Sequence, residues 1–299
     1  MNERDDWRRA WLVAAWPGMG AVAQIAATHL ALQLHAQPIE AMDTRRDDEP
    51  SSVHVKGGLV QPWRASRDLL HGWRHPRAGR DLLVLLSERQ PPQLLRTHAQ
   101  ALVQRARGLG VERIATFAAM GTPMHPAGTP RVFATATSSG LLDEAASAGA
   151  IRFDDGEISG MNGVLLGAAA EQGIEALGLM GEMPFFAAGL PNPRPAAAVL
   201  AVFARIANLD LDLTRLHAEA NRLEPVLVAQ APAQWPALAA PAERPGEQIP
   251  AELRQHIEML FAVAGQDREK ALELKALLDR HGLFGAYEDR FLDLFRQGS

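Results

Sequence analysis

The sequence predicts an α/β protein: a three-layer α/β/α domain around a largely parallel or mixed sheet, followed by a C-terminal helical segment. Three observations predict it. Short apolar runs alternate with stretches of helical period through Asn208. Glycine- or proline-bearing turns stand at the ends of those runs. Residues 229–250 hold five prolines with alanine and glutamine and no apolar period, which marks a linker. The organisation that follows is a domain over 1–228, the linker over 229–250 and a helical segment over 251–299.

Each element has its own signal. Leu12-Val13-Ala14-Ala15-Trp16 reads as a buried strand ending at Pro17. The turn Pro17-Gly18-Met19-Gly20 leads into a helix over 21–35, with Val22, Ile25, Ala26, Leu30 and Leu34 on one side. Residues 37–42 suit a second strand. Val53-His54-Val55 and Gly58-Leu59-Val60 flank Lys56-Gly57 as short paired strands. Residues 64–80 are basic and contain His71, Trp73 and His75. Leu82–Leu86 is a buried strand, and Pro91-Pro92 open a helix lasting to Arg107. Strands follow over 111–119, 131–137 and 174–180, and helices over 139–148, 164–172, 195–208 and 213–228. Gly121–Pro130 and Gly181–Phe186 read as loops. Ser138 or Ser139 caps the helix before Ala148, and Gly173 closes the helix before it. Beyond the linker, stripes at Leu253, Ile257, Leu260 and Phe261, at Leu274, Leu277 and Leu278, and at Tyr287, Phe291, Leu294 and Phe295 mark three helices.

Composition removes several function classes. The chain of 299 residues has no cysteine, so disulfides, thiolate metal sites and cysteine nucleophiles are excluded. Its formal net charge of −5 argues against a general nucleic-acid binder. No apolar run approaches the roughly 20 residues of a membrane-spanning helix. The mixed-charge N-terminus and the short run behind it do not form a signal peptide, so a cytoplasmic protein is expected.

In α/β sheets, sites gather at the carboxyl ends of strands. Four groups of residues stand there. Gly18-Met19-Gly20-Ala21-Val22-Ala23 fits a relaxed dinucleotide fingerprint, with Asp43 downstream where a ribose-binding acid would sit. Pro17 stiffens that turn and a third glycine is missing, which favours a tight strand–helix corner. Glu157-Ile158-Ser159-Gly160-Met161-Asn162-Gly163 precedes an apolar helix. It suits a cradle for a polar ligand with Asn162 as donor, or a helix start where Ser159 and Asn162 satisfy free N–H groups and Gly160 and Gly163 permit the bend. His125 in a strand-end loop is the one histidine placed for acid–base work. Glu182 in Gly181-Glu182-Met183-Pro184 suits a site acid, or a carboxylate that bonds backbone N–H groups across the sheet. His71 and His75 lack a further metal ligand nearby in sequence, and His29 suits a hydrogen-bonded helix histidine. No complete catalytic set emerges, and no cofactor or metal is expected.

Three segments resemble the PAC2 family of proteasome assembly chaperone 2-like proteins. Trp16-Pro17-Gly18-Met19-Gly20 is similar to its N-terminal turn. Glu157–Gly163 with Val164-Leu165-Leu166 is similar to its glycine–asparagine–glycine segment. Residues 174–184 with Pro191-Asn192-Pro193 are similar to its third stretch, with Asn192 in place of the usual aspartate. The resemblance covers residues 11–228. It implies a phosphorylase/hydrolase-like α/β/α fold, a homo-oligomer such as a trimer, and a non-enzymatic chaperone or scaffold role with a protein client or proteasome-related partner. Archaeal members dock through a C-terminal hydrophobic–Tyr–any residue tail. This chain ends Gln297-Gly298-Ser299 and its single tyrosine, Tyr287, is internal, so docking by that route is not expected. The rival reading is a nucleoside phosphorylase/hydrolase-like enzyme, or a nucleotide- or phosphate-binding protein, using the strand-end loops.

Overall fold

A computed structural model describes residues 7–42, 53–62, 67–77, 79–91, 93, 95–231, 251–264, 268–280, 287 and 291. Asp43, residues 232–250 of the expected linker, and Leu294 and Phe295 of the third C-terminal stripe lie outside the described residues. The chain divides into two compact units, Met1–Trp235 and Pro236–Ser299.

The first unit is built on an eight-stranded mixed sheet. Its strands are β1 (Ala10–Ala15), β2 (Gln37–Met42), β5 (Asp68–Trp73), β6 (Leu82–Ser87), β7 (Val111–Thr122), β8 (Val132–Ala136), β9 (Ile151–Arg152) and β10 (Glu175–Pro184), in the order β2-β5-β6-β1-β7-β10-β8-β9. Strands β3 (Val55–Lys56) and β4 (Leu59–Val60) form a separate hairpin. The centre β6-β1-β7-β10 is parallel. Antiparallel pairings join β5 to β6, β2 to β5 and β8 to β10.

Alternation along the central strands sorts side chains onto two faces. Trp11, Val13 and Ala15 of β1 meet residues of α1 (Val22–Gln33), α3 (Ser139–Ser147), α5 (Pro193–Ala207) and α6 (Thr214–Gln230) in one core. Leu12, Ala14 and Trp16 turn the other way and join α2 (Leu95–Gly108) and α4 (Gly160–Glu171) in a second core. Buried on both sides, β1 and residues Leu82–Leu86 of β6 are apolar without a break, as central parallel strands tend to be. Phe203 of α5 organises the first core. Its ring packs edge-on against Trp11 at 5.5 Å and Phe117 at 5.4 Å.

Several elements depart from the sequence expectation. The basic segment 64–80 contains a full strand, β5, between β2 and β6. Its Gly72 lies where a side chain would strike Trp7 and Ile39, so the residue that lowers strand propensity is required by packing. Helix α2 begins at Leu95, later than the proline pair suggests. Strand β7 runs on to Thr122 and β10 to Pro184, so Glu182 lies in a strand and not in a loop. Their parallel pairing is continuous from Arg113–Glu175 to Thr122–Pro184. A two-residue strand, β9, extends the sheet beyond β8. His29 is buried, with Nε2 2.8 Å from the carbonyl of Asp212, in keeping with a hydrogen-bonded helix histidine.

The second unit contains α7 (Ala251–Ala264) and α8 (Arg268–Arg280). Ile257, Leu260, Phe261, Ala264, Ala271, Leu274, Leu278 and Phe291 form its own apolar cluster, with Tyr287 packed on Phe261 at 5.7 Å. These are the stripe residues expected of a helical segment.

Phe203→Ala opens a cavity at the meeting point of three aromatic rings. It is expected to cost about 3–5 kcal/mol of stability, read as a lower urea midpoint at unchanged slope.

Candidate functional site

The residues just beyond β1 and β6 meet at the first turn of α4. Asn162 and Gly163 are inside that helix, not ahead of it. Ser159 occupies the N-cap position but makes no side-chain cap hydrogen bond. The cap comes instead from Gln90, beyond the end of β6. Its Oε1 accepts from the N–H of Met161 at 2.9 Å, and its Nε2 donates to the carbonyl of Pro17 at 2.7 Å. One amide therefore serves a helix donor that has no partner within the helix and a turn carbonyl at once. Gly160, at φ +71°, leaves the space that this amide fills, since a Cβ there would lie 3.2 Å from Gln90 Nε2.

Asn162 also faces the strand rather than its own helix. Its Oδ1 accepts from the N–H of Trp16 at 3.4 Å, and its main-chain carbonyl accepts from the Thr116 hydroxyl at 2.9 Å. Both residues are buried. Asn162 thus ties α4 to the end of β1 and to the middle of β7. The approach is allowed by Gly163. A Cβ at that position would sit 1.9 Å from the carbonyl oxygen of Ile158. Only a hydrogen fits there, so the loop carbonyl can close against the helix.

On the opposite face, the turn after β1 is fastened to the segment after β10. Gly20, at φ +62°, donates its N–H to the carbonyl of Ala188 and accepts from the N–H of Asn192, both at 2.8 Å. Asn192 then caps α5 by accepting from the N–H of Arg194 at 3.2 Å. An aspartate would make the same acceptor, so its replacement by asparagine leaves the cap intact.

Glu182 forms a third fixture. It is 3% exposed and receives Arg131 Nε at 2.9 Å, Arg131 Nη2 at 2.5 Å, the Arg131 main-chain N–H at 3.1 Å and the Thr122 hydroxyl at 2.8 Å. Burial pushes this carboxyl up. The side-chain bonds from Arg131 and Thr122, with the Arg131 backbone N–H and charge, outweigh that effect and hold it below the ordinary value of 4.5. The carboxylate is a clamp between β7, β8 and β10, held ionised and fully engaged.

The remaining predicted residues lie apart from this arrangement. His125 is half-buried, and its Nδ1 accepts from the N–H of Ala127 at 3.1 Å within its own loop. Glu157 is exposed in the segment leading to α4. Pro17 and Gly18 line the turn that α4 covers, and Asn162 Nδ2 lies 3.8 Å from where a Cβ on Gly18 would be. Gln90 and Thr116 are the positions that sequence reading missed. A glutamine after an apolar strand carries no motif, and its role depends on a helix 70 residues further along. Among the described residues, no group of three His, Asp or Glu side chains is placed to hold a metal ion, and no helix is long and apolar enough to cross a membrane.

The family model of the PAC2 family matches residues 12–231. The chain belongs to the PAC2 family. The matched span takes in each of the three fixtures just described. Among solved structures, the chain is similar to PbaB of Pyrococcus furiosus, an archaeal proteasome activator. The TM-score is 0.64 at 24% identity, over 75% of this chain and 94% of that one. It is similar to PbaA of the same organism, an archaeal homologue of proteasome-assembly chaperone, with a TM-score of 0.58 at 26% identity over 75% and 92%. A Mycobacterium tuberculosis proteasome-assembly chaperone homologue gives 0.64 at 21% identity over 76% and 99%. No curated protein matches the chain. The shared α/β fold is that of this PAC2 protein's first unit.

Gly163→Ala drives a methyl into the Ile158 carbonyl. A loss of at least about 3 kcal/mol is expected, seen as a melting temperature lower by roughly 6 °C or more. Glu182 makes a separate contribution in acid. Its folded pKa is lowered, so its stabilisation is complete above 4.5 and is lost as pH falls through the folded value. Chemical denaturation between about pH 5 and pH 3 should show a shallower stability loss for Glu182→Gln than for the native chain.

Proposed function

We propose that this PAC2 protein is a non-enzymatic assembly chaperone or scaffold that acts as a homo-oligomer on a proteasome-related protein client. One observation carries the reading. The polar side chains gathered at the strand ends hold the fold together: Gln90 joins Pro17 to Met161, Asn162 joins α4 to Trp16, and Glu182 joins β10 to Arg131 and Thr122. Groups spent in this way recognise partners through the surface they shape rather than through bond-making chemistry. Likeness to PbaA and PbaB, the one a homologue of proteasome-assembly chaperone and the other a proteasome activator, supplies the class of client.

A second reading has one observation in its favour. Asn162 is 5% exposed, and its Nδ2 donates to no protein group among the described residues. That amide faces the Gly18 turn, where a nucleotide, phosphate or similar acceptor would meet it. Binding there is the starting point for the phosphorylase/hydrolase-like alternative.

One pair of measurements separates the two. Purification of the tagged protein from its own cells should recover proteasome or related protease subunits in stoichiometric amount. A thermal-shift series with nucleosides, nucleotides and inorganic phosphate should stay flat. A ligand-dependent rise in melting temperature that vanishes in Asn162→Ala, without recovery of those subunits, would establish the second reading instead.

A further inference from the structure

The hairpin β3–β4 is the least covered part of the described chain. Residues 53–60 are all exposed, with Val53 at 57%, Val55 at 61%, Leu59 at 71% and Val60 at 66%. The strands are joined by Gly57 and Gly58, both at positive φ, the conformation that a tight two-residue hairpin turn requires. Val55 stands directly opposite Val60, and Lys56 opposite Leu59. Alternation places Val53 on the face of Val55 and Val60. One face of the ribbon therefore carries Val53, Val55 and Val60, and the other carries Lys56 beside Leu59. A two-stranded ribbon is marginal in water by itself, and four large aliphatic side chains on it call for a cover.

The same unit carries a complementary surface at one edge of its main sheet. Strand β9 ends the sheet order, so one side of its backbone has no strand neighbour among the described residues. Its Ile151 is 44% exposed. Directly after it come Asp154, Asp155 and Glu157, all exposed and without a protein partner among the described residues. Lys56 likewise has none, and it is the one lysine before Lys270 in a chain of net charge −5. In chain order the hairpin falls between β2 and β5, whereas β9 ends the other side of the strand order. The two surfaces are complementary in charge and in apolar character, which suits contact between copies.

We infer that the β3–β4 hairpin of one copy docks on the β9 edge of a second copy, with Lys56 meeting Asp154, Asp155 and Glu157 and the aliphatic face covering Ile151. The contact uses two different surfaces and repeats head to tail, so it closes into a ring where the rotation permits. An added strand gives β9 a hydrogen-bonded neighbour, and the charge pairing selects its orientation. This inference rests on the homo-oligomer reading and names the surface that would carry it.

Light scattering coupled to size exclusion, on the full chain at micromolar concentration, tests it. The native protein is expected to run as a multimer. Lys56→Glu and Asp154→Lys/Asp155→Lys should each weaken association at least tenfold, and so should Val55→Ser/Val60→Ser. The combined Lys56→Glu/Asp154→Lys/Asp155→Lys chain should regain the multimer, because the charges are complementary again. Unchanged melting temperatures in all four variants would show that the fold is intact, since every substituted side chain is exposed. A native multimer that none of the three weakens overturns the hairpin contact and leaves the homo-oligomer reading standing. A multimer weakened by single reversals but not restored by the combined one also overturns it. A native monomer overturns both.

Discussion

The carbonyl of Ile158 lies so close to Gly163 that no side chain fits between them, and this contact sets how α4 meets the sheet. With the loop drawn in, Asn162 reaches Trp16 at the end of β1, and Gln90 can span the gap between Pro17 and Met161. The first turn of a helix and the residue that follows the central strand are then parts of one hydrogen-bonded corner. A larger residue at 163 would move the helix outward and separate each of these pairs. The second core depends on the same closeness, because Met161 and Leu165 pack against Trp16 and its strand neighbours.

Strand ends of parallel sheets offer free backbone groups and are natural places for ligands. This chain fills much of that space with its own amides and carboxylates. Gln90 caps α4, Asn192 caps α5, and Glu182 binds the edge of the parallel core to antiparallel β8. The energetic reason is plain in Glu182. A carboxylate this buried is costly unless it is saturated with donors, and four donated hydrogen bonds from Arg131 and Thr122 saturate it. The resulting surface is stiff at the strand ends. It contrasts with the β3–β4 hairpin, whose aliphatic side chains are exposed.

Legibility from sequence followed burial. Strands β1 and β6 lie between two helical layers, so they appear as unbroken apolar runs. Helices α1 and α5 and the C-terminal stripes followed from spacing. Strand β5 did not, because it alternates buried and exposed residues around a glycine demanded by Trp7. The extension of β10 to Pro184 was hidden by Gly181 and Pro184, which ordinarily end strands. Here Gly181 is needed because Pro195 of α5 packs where its Cβ would be. In the site, Gly160, Asn162 and Gly163 stood out by their types, and Glu182 was weighed as a backbone-bonding carboxylate. Gln90 and Thr116 were invisible, since each acts on a segment far away in the chain.

By itself the sequence determined the α/β class, the segments that line the corner and the family to which they point, because periodicity and glycine placement are local properties. The roles within the corner were decided by the tertiary structure. Ser159 had the chemistry of a cap, yet Gln90 performs the capping, because the fold brings the end of β6 to the start of α4. Asn162 had the chemistry of a ligand donor, and the fold commits its side-chain oxygen to the N–H of Trp16 while its Nδ2 faces the Gly18 turn. Which polar group meets which N–H depends on distances between residues 71 to 146 positions apart, and those distances exist only once the sheet has assembled.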